Sequence, residues 1–344
     1  MKLLESCELP VLGSLKNRVV MSAMTRNFSP DHHCSADMAA YYGRRAQQGV
    51  ALILTEGVIV YPSGDGYNQV PHLCQPSHAA SWKAAVEQVH AAGSKIFCQL
   101  WHCGRISHSD YTGGLPPVSS TARPAAGINR QNNKPFGMPR ALRTEEIAHI
   151  CRQFQYSAQL AIEAGFDGVE LHMGHGYLLD QFFDANINDR TDVYGGSVQN
   201  RCRFALELVQ LILEALGSGR VMVRISPSRD LNGIYDWPDL TQMLDELIPG
   251  LDRLGLRLLD VSCARSDYHQ TSGRVIRMLR PRWPHVLLGG ASLSPEQAEQ
   301  ALSSGQLDLV TWGRFILANP DFVEKICRGE ALTAFVPELL KALT

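Results

Sequence analysis

A chain of 344 residues, 45% hydrophobic with a formal charge of −2, can bury a large core without metal or disulfide staples. Its near-neutral balance and lack of a Lys/Arg-rich cluster give no reason to expect nucleic acid or an acidic membrane surface as partner. Nine cysteines, an odd number with no CxxC pair, suit reduced thiols in a cytoplasmic protein better than a disulfide framework or a zinc site.

The opening "MKLLESCELPVLG" has neither the apolar stretch nor the cleavage site of a signal peptide. Residues 3–15 read as a hairpin. Eight short runs rich in Val, Ile and Leu follow, at 19–21, 51–58, 95–100, 168–171, 221–225, 258–262, 286–288 and 309–311. Strands buried on both faces of a parallel sheet read this way. The longest apolar region, "VALILTEGVIV", is too short to span a bilayer and carries Glu56.

Helical patterns lie between most of the runs. "TEEIAHICRQFQYSAQLAIEAG" places Ile147, Cys151, Phe154, Ala158 and Ala161 on one stripe, with Thr144 as N-cap and Gly165 as stop. "SPEQ", beginning at Ser294, reads as a capping box with Pro295 at the first helical position. Eight strands alternating with helices predict an α/β chain: a (β/α)₈ TIM barrel, one domain over residues 1–344, its bottom closed by the N-terminal hairpin. An open doubly wound sheet is the alternative, but the chain has no GxGxxG or GxxxxGK[ST]. Residues 103–143, rich in Gly, Pro and Ser, are too long for an ordinary connection and read as a lid or pocket wall.

Barrel active sites sit at the C-terminal strand ends, so those positions carry the functional reading. Arg224 ends an apolar strand, where an unpaired guanidinium is costly. It either pairs with a barrel carboxylate or meets an anionic ligand. Gln99 suits a ligand edge offering donor and acceptor together. "GGAS" (ending at Ser292) and "GR" (Gly313, Arg314) offer backbone N–H groups, a hydroxyl and a guanidinium to a phosphate, or the glycines merely make turns.

"VELHMGHGYLLDQFF" sets His172, His175 and Tyr177 close together after the fourth strand. As metal ligands the histidines would need carboxylates such as Glu56 or Glu170, and Arg224 would repel the cation, so no metal is assigned. As hydrogen-bond donors they can polarise a carbonyl or nitro oxygen, with Tyr177 as general acid. A purely structural His–Tyr cluster is the third reading.

The motif "GFDGVELHMGHGYLLDQFFDANINDRTDVYGGSVQNRCRF" resembles the signature of the old yellow enzyme family, FMN-dependent ene reductases built on (β/α)₈ barrels. "NRVVMSAMTRN", "CQLWHCGRISH", "VRISP" and "WGRFILANPDF" follow in family order, so the resemblance covers nearly the whole chain. It implies non-covalent FMN held by Ala23, Met24, Thr25, Gly57, Gln99 and Arg224 at the ring, with Gly290, Ala291, Ser292, Gly313 and Arg314 at the phosphate. It implies that His172 and His175 bind the substrate oxygen, that Tyr177 is the proton donor, and that Tyr67 and Trp101 line the pocket. The implied activity is ping-pong reduction of α,β-unsaturated carbonyls or nitroalkenes with NADPH or NADH as reductant. The implied partner is a small electrophilic alkene, in a cytoplasmic setting without nucleic acid or membrane, and a homo-oligomer is left open. An FMN-dependent amine dehydrogenase or demethylase and a non-catalytic flavin-binding redox sensor are the alternatives. The chain departs from the family at Ala23, where many relatives carry Pro, and at Ala291, often Gly. It carries His at 175, where relatives have His or Asn, and a Tyr-Gly stretch that walls the pocket of longer relatives is missing.

Overall fold

Runs that are apolar almost throughout cannot leave a face in water, and each of the eight becomes a strand of one closed barrel. The structure, a computed structural model, describes residues 1–230, 233–263 and 266–344. The barrel strands are β1 (Val19–Met21), β2 (Leu52–Ile59), β3 (Lys95–Trp101), β4 (Gly168–Met173), β5 (Val221–Ile225), β6 (Leu258–Val261), β7 (Val286–Gly290) and β8 (Leu309–Trp312). All neighbours pair in parallel, and β8 pairs with β1 to close the ring. The doubly wound alternative is thereby excluded.

Two apolar layers hold the ring together. Inside it, Val20, Leu52, Leu54, Phe97, Met222, Leu258, Leu288 and Leu309 pack on one another. The expected hairpin forms from strands Cys7–Leu9 and Gly13–Leu15, and its Cys7, Leu12 and Leu15 join that inner cluster. Outside it, the opposite faces of the strands pack against the surrounding helices. These include α1 (Ala36–Gln47), α2 (Pro76–Ala91), α3 (Thr144–Glu163), α4 (Leu178–Phe183), α5 (Val198–Leu216), α6 (Leu240–Arg253), α7 (Ser272–Leu279) and α8 (Pro295–Ser303).

The expected apolar stripe of α3 is buried along its length, and Gly165 follows the helix at φ +99°. The cap is one residue earlier than expected. Arg143 takes the N-cap, its N–H donating to the Glu146 carboxylate at 2.8 Å, while the Thr144 hydroxyl is turned to Asp192. The Ser294–Gln297 capping box forms as read.

Residues 103–143 carry short ladders of their own: Val118–Ser119 pairs with Arg140–Ala141, and Ile128–Asn129 with Lys134–Pro135. All nine cysteines are unpaired. Among the described residues no helix is long and apolar enough to cross a membrane.

Candidate active site

Strand alternation builds the floor of the site. Inward positions recur every second residue, so the apolar storey of Phe97, Met222 and Leu258 is followed two residues on by Gln99, Arg224 and Asp260. Register sets Arg224 between His172 and Asp260, and Gln99 beside Glu170. A polar layer thus caps an apolar barrel.

Arg224 Nη2 donates to Ser262 Oγ at 2.7 Å, and Nε lies 3.3 Å from Asp260 Oδ2. The carboxylate pairing weighed for Arg224 is present, yet the guanidinium also lines the cleft above, with Ala23, Thr25, Gly57, Gln99, Trp101, His172, His175 and Tyr177. Gln99 Nε2 donates to Glu170 Oε2 at 2.6 Å. Burial pushes the carboxyls of Glu170 and Asp260 above the usual range, and Arg224 opposes it. Two buried carboxyls beside one guanidinium favour a single retained proton.

The end of β4 and the turn after it deliver the three polar side chains singled out in the sequence, His172 from the strand and His175 and Tyr177 from the turn. A Cβ on Gly174 would meet Ser226 Oγ at 2.7 Å, so the chain can pass only as glycine. His175 takes φ +58°, its N–H donating to Ser226 Oγ at 2.5 Å. The Asp180 carboxylate fixes the turn from behind, accepting from the Gly176 N–H, the Arg229 guanidinium and the Trp237 indole. Sequence reasoning passed over Asp180, although a carboxylate in the apolar run "YLLDQFF" already demands buried partners.

His172 Nδ1 accepts from the Gly174 N–H at 3.4 Å, so the neutral ring carries its hydrogen on Nε2. Burial, then the Arg224 charge, holds both imidazoles neutral by pulling their pKa values well below the ordinary histidine value. The two rings lie 5.1 Å apart, centre to centre, and Tyr177 lies 5.1 Å from His172. Burial raises the Tyr177 phenol well above its ordinary range, so it keeps its proton. Its hydroxyl is 2.7 Å from that of Tyr67. Trp101 packs on both tyrosines with ring centres 4.8 Å away.

Gly57 makes room for that indole: a Cβ there would fall 2.4 Å from Trp101 Cε3. The register of β2 against β3 slips by one residue between Leu54 and Gly57. Glu56 accordingly accepts from the Arg26 N–H at 3.1 Å and from the Tyr42 hydroxyl, and burial pushes its carboxyl up to about 7. It is not among the cleft-lining residues, so it offers no carboxylate to the two histidines.

At the ends of β7 and β8, where backbone N–H groups were expected to be exposed, two of the amides already have acceptors. The Ala291 N–H donates to Thr311 O of β8 at 2.7 Å and the Ser292 N–H to Gly290 O in the local turn at 2.9 Å, so both amides are engaged within the protein. Gly290 has φ +153°, and a Cβ would strike Thr311 O at 2.4 Å. Exposed Ser292 and Arg314 supply the polar side chains here, with the guanidinium 5.2 Å above the Phe335 ring. Gly313 leaves space for Met24, whose Sδ would lie 2.7 Å from a Cβ. The last residues are tied to the same rim, since Arg26 donates to Leu339 O and Ala342 O, and Arg44 to Leu343 O.

Residues 103–143 reach the site through Gln181. Its Oε1 accepts from the Arg105 N–H and the Ser119 hydroxyl, and its Nε2 donates to Gly176 O at 2.7 Å.

Comparison with known proteins agrees with this arrangement. The model of the NADH:flavin oxidoreductase / NADH oxidase family matches residues 12–333. The chain belongs to the old yellow enzyme family. It superposes on an old yellow enzyme homologue from Zymomonas mobilis with a TM-score of 0.91 and 30% identity, covering 99% of this chain and 96% of that one. It is 38% identical over 343 residues to 12-oxophytodienoate reductase 7 of Oryza sativa subsp. japonica, covering 94% of this chain and 87% of the relative. A putative 12-oxophytodienoate reductase-like protein 1 of Arabidopsis thaliana is 35% identical, with 91% and 96% covered. Like its family, the chain is an NAD(P)H-dependent flavin oxidoreductase that uses FMN.

The donor set fits that cofactor. Gln99 and Thr25 present mixed donors and acceptors beside the Arg224 cation, matching an electron-rich ring edge with both N–H and carbonyl groups. One buried donor of a cleft-lining residue, Trp101 Nε1, has no hydrogen-bond partner among the described residues.

Proposed function

We propose that this old yellow enzyme relative reduces the activated C=C bond of α,β-unsaturated carbonyls and nitroalkenes. The observation that carries the reading is the convergence of His172, from the end of β4, and His175 and Tyr177, from the turn after it, onto a cleft floored by Gln99 and Arg224. Non-covalently bound FMN would supply the hydride chemistry, with NADPH or NADH as reductant. Ala23, Met24, Thr25, Gly57, Gln99 and Arg224 would hold its ring, and Gly290, Ala291, Ser292, Gly313 and Arg314 would surround its phosphate, with the Ser292 hydroxyl and the Arg314 guanidinium as the polar side chains there. In the ping-pong cycle the nicotinamide and the alkene use the same cleft in turn.

The substrate oxygen is taken by the His172 and His175 imidazoles. Neutral rings donate without adding a full positive charge beside Arg224, and their hydrogen bonds strengthen as charge builds on that oxygen. Tyr177, a phenol held protonated by burial, delivers the proton to the α-carbon. Tyr67 and Trp101 hold the tyrosine and wall the pocket, and residues 103–143 shield it as a lid within a single FMN-binding domain. The relatives named as 12-oxophytodienoate reductases favour an enone of that kind as substrate. A cationic amine is disfavoured by Arg224 under the cleft.

The test is anaerobic visible spectroscopy of the purified yellow protein. The expected course is bleaching on addition of NADPH or NADH and recovery of colour with 2-cyclohexenone. Bleaching without recovery by any enone or nitroalkene overturns the assignment.

A further inference from the structure

A second constellation lies outside the cleft, where the segment before α1 meets the loop after β2. His32, Asp65 and His72 each present one ligand atom, all within 4.8 Å of one another. Asp65 and His72 are 2% and 5% exposed, and His32 is half-buried. His72 Nε2 lies 2.9 Å from Asp65 Oδ2, and the two imidazoles stack with centres 3.7 Å apart. Nothing in the reduction chemistry uses these groups.

Three observations go beyond proximity. The first concerns tautomer: His32 Nδ1 sits 2.9 Å from Val70 O, which can only accept, so the ring donates there and leaves the Nε2 lone pair free. The second concerns charge. Asp65 is buried, and among the described residues no lysine or arginine pairs with it. Its Oδ1 is satisfied by the N–H groups of Gly66 and Tyr67, while Oδ2 is met by an imidazole alone. The third is backbone: Asp31 and His32 both have positive φ, +50° and +61°, and the His72 N–H donates to His32 O at 3.0 Å. Two successive non-glycine residues in that region are costly, and here they bring His32 onto His72.

We propose that His32, Asp65 and His72 form a binding site for a divalent d-block cation of the zinc class. Two imidazole nitrogens and one carboxylate oxygen are a common donor set for such ions. Ligand atoms on a tetrahedral zinc stand ~3.3 Å apart, given bond lengths of about 2.0–2.1 Å. Asp65 Oδ2 and His72 Nε2 are already near that spacing, and the cation would take the place of the proton now shared between them, which is released to solvent, while His32 has to tilt to bring Nε2 into place. The fourth position falls to water on the exposed side of His32. The ion would pin the segment at Asp31 and His32 to the loop that carries Tyr67.

Equilibrium dialysis of the FMN-loaded, tag-free protein against ZnCl₂ after chelator treatment tests this. One tightly held zinc per chain is expected, with affinity falling at least 100-fold in His32→Ala. His33→Ala should leave binding unchanged, because His33 is adjacent in sequence but outside the ligand set. Zinc should raise the melting temperature of the parent protein and not that of His32→Ala, a readout that also shows the variant is folded. Binding by the parent no tighter than by His32→Ala, or an equal loss in His33→Ala, overturns the site. Neither result depends on the reduction of any alkene.

Discussion

The hydroxyls of Tyr67 and Tyr177 stand 2.7 Å apart although 110 residues separate them in the chain. Both phenol rings pack on Trp101, which is itself accommodated by Gly57. The two tyrosines therefore differ in duty. Tyr177 packs on His172 and is the proposed proton donor, whereas Tyr67, in contact with its hydroxyl, is proposed to fix its direction. Tyr177→Phe should slow alkene reduction by roughly 10²–10⁴-fold, the usual worth of a general acid. Flavin reduction by the nicotinamide should be spared. Tyr67→Phe removes one hydrogen bond, worth about 0.5–1.5 kcal/mol, and should cost about two- to tenfold. Rapid-mixing measurement of the two half-reactions checks both. An equal loss in the two half-reactions of Tyr177→Phe would remove it as the proton donor.

His172→Ala should weaken the binding of phenolic ligands, which charge-transfer titration of the yellow protein measures. Loss of a hydrogen bond to a charged partner costs about 1.5–3 kcal/mol, so affinity should drop by roughly 10- to 150-fold. Unchanged affinity would return the imidazole to a structural role.

Much of this was legible in the sequence because parallel strands leave a plain trace. "VMVRI" is apolar except where Arg224 breaks it, and that break marked the site. The strand ends were readable for the same reason: a polar residue at the end of an apolar strand has nowhere to go but the barrel mouth. What stayed hidden was the identity of partners. Arg224 announced the need for a carboxylate, but only register shows that it is Asp260. Alternation cannot reveal a one-residue slip, so Glu56 was weighed for the cleft while the bulge turns it towards Arg26 and Tyr42. The His32, Asp65 and His72 group has no spacing signature at all, since loop conformation alone assembles it. The amides of Ala291 and Ser292 read as free because sequence does not show which carbonyls accept from them.

Gly57→Ala tests the packing that supports the aromatic wall. The new methyl would sit 2.4 Å from Trp101 Cε3, so the indole must move. Overpacking of this kind costs about 1–3 kcal/mol. Both FMN retention and stability in denaturant should fall. Retention of flavin at parental affinity would show that Trp101 can shift without disturbing the cleft.

The Glu56 carboxyl makes a prediction about pH. Burial raises its folded-state pKa to about 7, against an ordinary carboxylate value near 4.5. A raised pKa means that the folded state holds the proton more tightly. The associated stability is present below pH ~4.5 and is lost as pH rises through 7. At 1.36 kcal/mol per tenfold change in proton affinity, the loss between pH 4.5 and 8 is ~3 kcal/mol. Glu56→Gln keeps an acceptor for the Arg26 N–H and cannot ionise, so its stability should decline less over that range. Denaturant melts of both proteins at pH 5 and pH 8 provide the comparison. Parallel curves would show that Glu56 does not set the pH response.

Ala291 sits at φ +62°, in the left-handed region that favours glycine. An L-residue there is strained by about 1–2 kcal/mol, and relief on substitution is partly offset by the greater freedom of glycine in the unfolded chain. Ala291→Gly should therefore stabilise the protein modestly, by about 0.5–1 kcal/mol. Ala291→Val, which adds β-branching in the same conformation, should destabilise it by more than that. The N–H of residue 291 donates to Thr311 O in a bond that either substitution can retain, so the comparison isolates backbone conformation. Thermal melts of the apoprotein measure both. A Gly variant less stable than the parent would mean that the Ala291 methyl makes packing contacts worth more than the strain it carries.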